Sequence, residues 1–103
     1  MIPVFDGHND FLQRMIAAGP ARDTLWSQGD GTGALDLPRM RAGGMVGGFF
    51  AIWAPAGPDP DADLHNIMKQ NPPFALPMPP EVPLAQALPH GFALAGQLMA
   101  MER

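Results

Sequence analysis

Pro3-Val4-Phe5-Asp6-Gly7-His8-Asn9-Asp10 is the stretch on which the reading of the whole chain turns. Its apolar start, Ile2 to Phe5, predicts a short strand, and the polar residues after it predict the strand's tip. In an extended chain residues i and i+2 point to one face, so His8 and Asp10 are expected to converge there. One imidazole nitrogen and one carboxylate oxygen held together are half of what a divalent zinc ion takes as its ligand set. The same eight residues also suit a solvated turn, which favours Gly, Asn and Asp for conformational reasons. A calcium loop is excluded despite the spacing of Asp6, His8 and Asp10. Histidine is a poor calcium ligand, and Phe11 stands where that loop needs glycine.

Working outward, Phe11 to Ala18 holds good helix formers, and Gly19-Pro20 should end the helix. Ala21 to Leu35 reads as a flexible surface loop, with Gly29, Gly31 and Gly33 alternating with Asp30 and Thr32. It is not a phosphate-binding loop, because that needs a strand directly before it, and Trp26-Ser27-Gln28 is no strand. Asp36 is a candidate N-cap for a short helix with Pro38 in its first turn, stopped by Gly43 or Gly44. Phe49, Ala51 and Trp53 then alternate with Phe50, Ile52 and Ala54, which predicts a strand apolar and buried on both faces, as in a parallel sheet. Gly47 and Gly48 just before it would admit another backbone.

Pro55 to Pro89 holds ten of the 13 prolines, and the acids Asp59, Asp61, Asp63 and Glu81. It reads as a long rigid connection with one helical turn near Asp63–Lys69. Its P-x-x-P matches lack a flanking arginine, so a loop is preferred to a docking ligand. His65 and His90 have no partner at ligand spacing and receive no role. Leu84 to Arg103 predicts a helix whose apolar residues wrap most of the way round, implying burial on more than one side. Pro89 should kink it or delay its start. The chain then ends as if in mid-architecture.

Composition narrows the classes. With 103 residues there is room for one small domain, and without cysteine neither disulfides nor thiolate metal sites exist. A net charge of -4 and no basic patch argue against nucleic acid or anionic lipid as partners. No apolar run is long enough to span a membrane and no secretory leader is visible, so a cytoplasmic protein is expected.

Val4-Phe5-Asp6-Gly7-His8-Asn9-Asp10, Leu35-Asp36-Leu37-Pro38-Arg39-Met40-Arg41-Ala42-Gly43-Gly44 and Gly47-Gly48-Phe49-Phe50-Ala51-Ile52 together closely resemble the N-terminal part of the membrane (renal) dipeptidase family, peptidase family M19, especially its bacterial members. The resemblance implies a (β/α)8 barrel that hydrolyses dipeptides with two zinc ions at its C-terminal mouth. Residues 1–103 would supply its first two parallel strands and their connections, since a full barrel takes about 250 residues. His8 and Asp10 match the strand-one pair that binds one of the two zincs, and Trp53 would line the mouth for substrate. The family's bridging glutamate, the histidines of its second zinc, and its substrate-binding histidine and arginine have no counterpart here. The chain alone is therefore expected to be inactive, and its apolar faces to favour homo-oligomers. Two other readings are a different metal-dependent amidohydrolase, against which Leu35–Gly44 speaks, and a non-enzymatic interaction protein using its Pro-rich segment.

Overall fold

The computed structural model describes residues 2–56 and 62–102, with side chains from 64 onward in the second stretch. The chain divides into two units, Met1–Ile52 with Gly91–Arg103, and Trp53–His90.

In the first unit, strands β1 (Val4–Asn9) and β2 (Met45–Phe50) pair in parallel, as expected of a βαβ arrangement. The register runs Val4 to Met45, Phe5 to Gly47, Asp6 to Gly48 and Asn9 to Phe50. Val46 is thus an extra residue on β2, and β1 carries one extra residue between Asp6 and Asn9, so two bulges offset each other. Outside the strands proper, Val4 N–H donates to Gly44 C=O and Ala51 N–H to Asn9 C=O, both at 2.9 Å.

β2 starts earlier and stops sooner than the expected Phe49–Ala54. At its far end β1 offers no partner beyond Asn9, because Asp10 (φ -105, ψ 26) turns the chain into the next helix. At its near end Gly47 and Gly48 lie within the strand, where they make room for side chains rather than for another backbone. A Cβ on Gly47 would lie 2.9 Å from the Phe5 ring, and one on Gly48 3.0 Å from Asp6 Cβ. The burial on both faces that a covered parallel sheet gives is not reached within this chain alone, in line with the apolar faces expected to favour homo-oligomers. Val46 is 69% and Phe49 67% exposed, because a sheet of two strands has too few neighbours to cover them.

Helix α1 (Phe11–Ala18) buries Phe11, Leu12 and Met15, and Gly19 at φ +55 closes it. Pro20 does more than stop the chain. It opens a 3-10 turn, Gly19–Ala21, that leads straight into α2 (Arg22–Gln28). The expected loop from Ala21 is therefore half helix. Thr24, Trp26 and Ser27 have modest helix propensity, so packing decides. Leu25 is buried, and the Trp26 ring sits 5.4 Å from that of Phe11 and 6.4 Å from that of Phe50. The core is Phe11, Leu12, Met15, Leu25 and Leu94.

Residues 30–34 are exposed but not loose. The Arg14 guanidinium donates to the Asp30 carboxylate, to the Thr32 hydroxyl at 2.7 Å and to Thr32 C=O at 2.9 Å. Arg39 donates to Gly33 C=O at 2.6 Å. The Thr32 N–H first, then the Thr32 hydroxyl and Arg14, hold the Asp30 carboxyl down to about 2. Asp36 caps α3 (Leu37–Ala42) as expected, accepting from Arg39 N–H at 2.8 Å, and Gly44 supplies the left-handed residue after it at φ +71.

The second unit contains α4 (Ala62–Met68), which covers the helical turn expected near Asp63–Lys69, then a stretch without regular structure over 71–83, exposed except at the half-buried Val82. Asp59 and Asp61 of the Pro-rich segment lie outside the described residues. Helix α5 (Leu84–Met101) begins ahead of Pro89 and carries it inside, so the proline does not delay the start. The burial on more than one side that its apolar pattern implies is not reached within this chain alone. Leu94 is buried, whereas Leu84, Leu88, Phe92 and Met99 are exposed. The Arg103 end of the expected helix lies outside the described residues. Among those residues no helix is long and apolar enough to cross a membrane.

Candidate functional site

The tip of β1 carries the one constellation with metal-ligand chemistry that the sequence pointed to. His8 ends up beside Asp10, with Nε2 3.4 Å from Oδ1 and both side chains well exposed, 67% and 54%. The spacing argument explains this even though Asp10 is the N-cap of α1 rather than a strand residue. The ψ angle of Asp10 rotates only the backbone on the C-terminal side of its Cα. Its side chain keeps the strand's direction while α1 bends away.

Regular alternation would have put Asp6 on the same face as His8 and Asp10. The extra residue between Asp6 and Asn9 reverses the phase, and Asp6 joins Asn9 instead, its Oδ2 accepting from Asn9 Nδ2 at 2.8 Å. Asn9 Nδ2 also reaches Phe49 C=O at 3.4 Å, and its Oδ1 accepts from Phe11 N–H at 3.2 Å. In the sequence the His-x-Asp motif stands out and these two residues do not. The available signal was an Asn placed directly before a helix start, where its side chain commonly binds backbone N–H groups.

Among the described residues no group of three or more His, Cys, Asp or Glu is arranged to hold a metal ion. Trp53 lies three residues past the end of β2, half-exposed, and belongs to the second unit. That unit also has an open hollow of about 480 Å³ lined by Ala54, Pro55, Glu81, Val82, Gln86 and His90.

No protein-family profile matches the chain. Solved structures do. A metallo peptidase from Rhodobacter sphaeroides, liganded with a phosphinate mimic of the dipeptide L-Ala-D-Ala, is 53% identical over 99% of this chain, with a TM-score of 0.87. The dipeptidase AC, a metallopeptidase of family M19, is 54% identical over 99% of the chain, with a TM-score of 0.86. Sequence and fold both identify a stretch of the M19 metallopeptidase family. The parallel pair with its connecting helices matches an N-terminal part of that larger fold. This M19 stretch spans 29% and 28% of the length of those two chains. It is also 44% identical, over 55 residues, to an uncharacterized protein in the PQQ-III 3' region of Acinetobacter calcoaceticus; the match takes in 52% of this chain and 18% of that protein.

Proposed function

We propose that this chain supplies part of one metal site of a zinc-dependent dipeptidase with a (β/α)8 barrel, and that His8 and Asp10 are the ligands. The observation that carries the reading is their convergence at the C-terminal end of a parallel strand, the end at which barrel enzymes hold their chemistry. The donors fit the ion. With metal bonds of about 2.0–2.2 Å, two ligands of a tetrahedral zinc lie about 3.4 Å apart. His8 Nε2 and Asp10 Oδ1 are separated by 3.4 Å.

Zinc ions bound in such a site supply Lewis acidity toward the scissile carbonyl and lower the pKa of water into the neutral range. The chain's own part is to bring an imidazole nitrogen and a carboxylate oxygen to one point. Trp53 would offer an aromatic wall to a dipeptide side chain. Two ligands hold zinc weakly, and a catalytic site normally has three. Among the described residues no third ligand joins the pair, and the 103-residue chain alone is expected neither to hydrolyse dipeptides nor to bind zinc tightly.

The test replaces the matching stretch of the Rhodobacter sphaeroides metallo peptidase with this chain and follows L-Ala-D-Ala hydrolysis with zinc added. The chimera should turn over, and His8→Ala or Asp10→Ala should each reduce kcat/KM by more than about 100-fold, beyond the loss typical of an outer-shell partner. An active chimera indifferent to both changes would remove the ligand assignment.

A further inference from the structure

We propose that Asn9 is the positioning residue of the His8–Asp10 pair, fixing the strand tip through its amide so that its two sequence neighbours meet at one metal ion. The inference rests on the reading of His8 and Asp10 as ligands and adds a residue that does not itself touch the metal.

Four bonds carry it. The Asn9 backbone C=O accepts from Ala51 N–H at 2.9 Å. Its Nδ2 donates to Asp6 Oδ2 at 2.8 Å and to Phe49 C=O at 3.4 Å, while Oδ1 accepts from Phe11 N–H at 3.2 Å. One residue thereby ties together β1, β2 and the first turn of α1, the three elements that meet at the tip. The chemistry needs an amide, since a carboxylate could accept from Phe11 but could not donate to Asp6. The β1 bulge brings Asp6 and Asn9 to one face, and Gly48 leaves room for Asp6, whose Cβ and Oδ2 would lie 3.0 Å and 3.3 Å from a Cβ placed there. With the backbone held on both sides of Asn9, the directions of His8 and Asp10 are set before a metal arrives, and less freedom is lost on binding.

The experiment uses the metal-free chimera in which this chain replaces the matching stretch of the Rhodobacter sphaeroides metallo peptidase, and titrates it with Co²⁺ as the probe, read by its visible absorption. Asn9→Ala and Asp6→Ala should weaken Co²⁺ binding about tenfold or more, the usual effect of losing an outer-shell partner. Asp6→Asn should restore near-parental affinity, because its amide oxygen still accepts from Asn9. Asn9→Asp keeps the bond to Phe11 but sets two carboxylates together, and should behave like Asn9→Ala. Parental affinity in Asn9→Ala, with binding lost in His8→Ala, overturns the positioning role and leaves the ligand assignment standing. If His8→Ala binds as the parent does, the ligand assignment fails, and the metal-free chimera decides the role of Asn9 by NMR. The nuclear Overhauser contact between the His8 ring and the Asp10 methylene should then vanish in Asn9→Ala and survive in Asp6→Asn. Its survival in Asn9→Ala overturns the proposal.

Discussion

Leu94→Ala and Phe92→Ala, two residues apart on α5, should differ in the opposite order from side-chain size. Leu94 is 0% exposed and closes the cluster of Phe11, Leu12, Met15 and Leu25. Removing it forfeits about 1.5–3 kcal/mol of transfer energy plus a cavity term, about 2–5 kcal/mol together. At about 3 kcal/mol the folded-to-unfolded ratio falls by roughly a hundredfold. A core of so few fully buried side chains has little else to fill the space. Phe92 is 70% exposed. Truncating it removes only about a third of a buried phenylalanine's contribution, less than about 1 kcal/mol. Urea unfolding measures both, followed by far-UV circular dichroism and by Trp26 fluorescence in a Trp53→Phe background. With an m-value of about 1–2 kcal/mol/M, Leu94→Ala should lower the midpoint by about 1.5–3 M, and Phe92→Ala by less than about 1 M. A Phe92→Ala loss equal to or greater than that of Leu94→Ala would refute this packing of α5.

Asp36→Ala removes a 97%-buried cap, since Asp36 is 3% exposed, and should cost about 1–2 kcal/mol in the same assay, with Asp36→Asn recovering most of it. The Asp30 carboxyl is held below its ordinary value of 3.8, at about 2, so its contribution is complete above the unfolded value and disappears as pH falls through about 2. Protection of the Thr32 amide, taken relative to its intrinsic exchange rate at each pH, should therefore fall between pH 4 and pH 2, and an Asp30→Ala variant should lack that protection already at pH 5. Val46 and Phe49, 69% and 67% exposed on β2, should make the isolated chain self-associate with rising concentration in sedimentation velocity. Phe49→Gln should weaken that association, and a strictly monomeric parent chain would count against it.

The parts of this protein that could be read from residues in order are those set by local chemistry. Asp36 caps its helix because its carboxylate reaches an N–H three residues on, and Gly44 ends the turn because it adopts φ +71 without a Cβ. His8 and Asp10 meet because a period of two is a property of extended backbone itself. The paired motifs also named the family, since both lie whole within the chain. What the order of residues could not show depends on contacts between distant segments. Helix α2 exists because Leu25 and Trp26 pack on α1 and β2, against weak local propensity. Arg14 orders a glycine-rich loop 16 to 21 residues away, which composition alone described as flexible. The extent of β2 was set by where β1 runs out of partners, and the phase of Asp6 by a bulge that only strand pairing reveals. Apolar alternation records which side chains would gain from burial. Whether they are buried depends on what lies across from them, and for Val46, Phe49 and most of α5 the described residues provide no such cover.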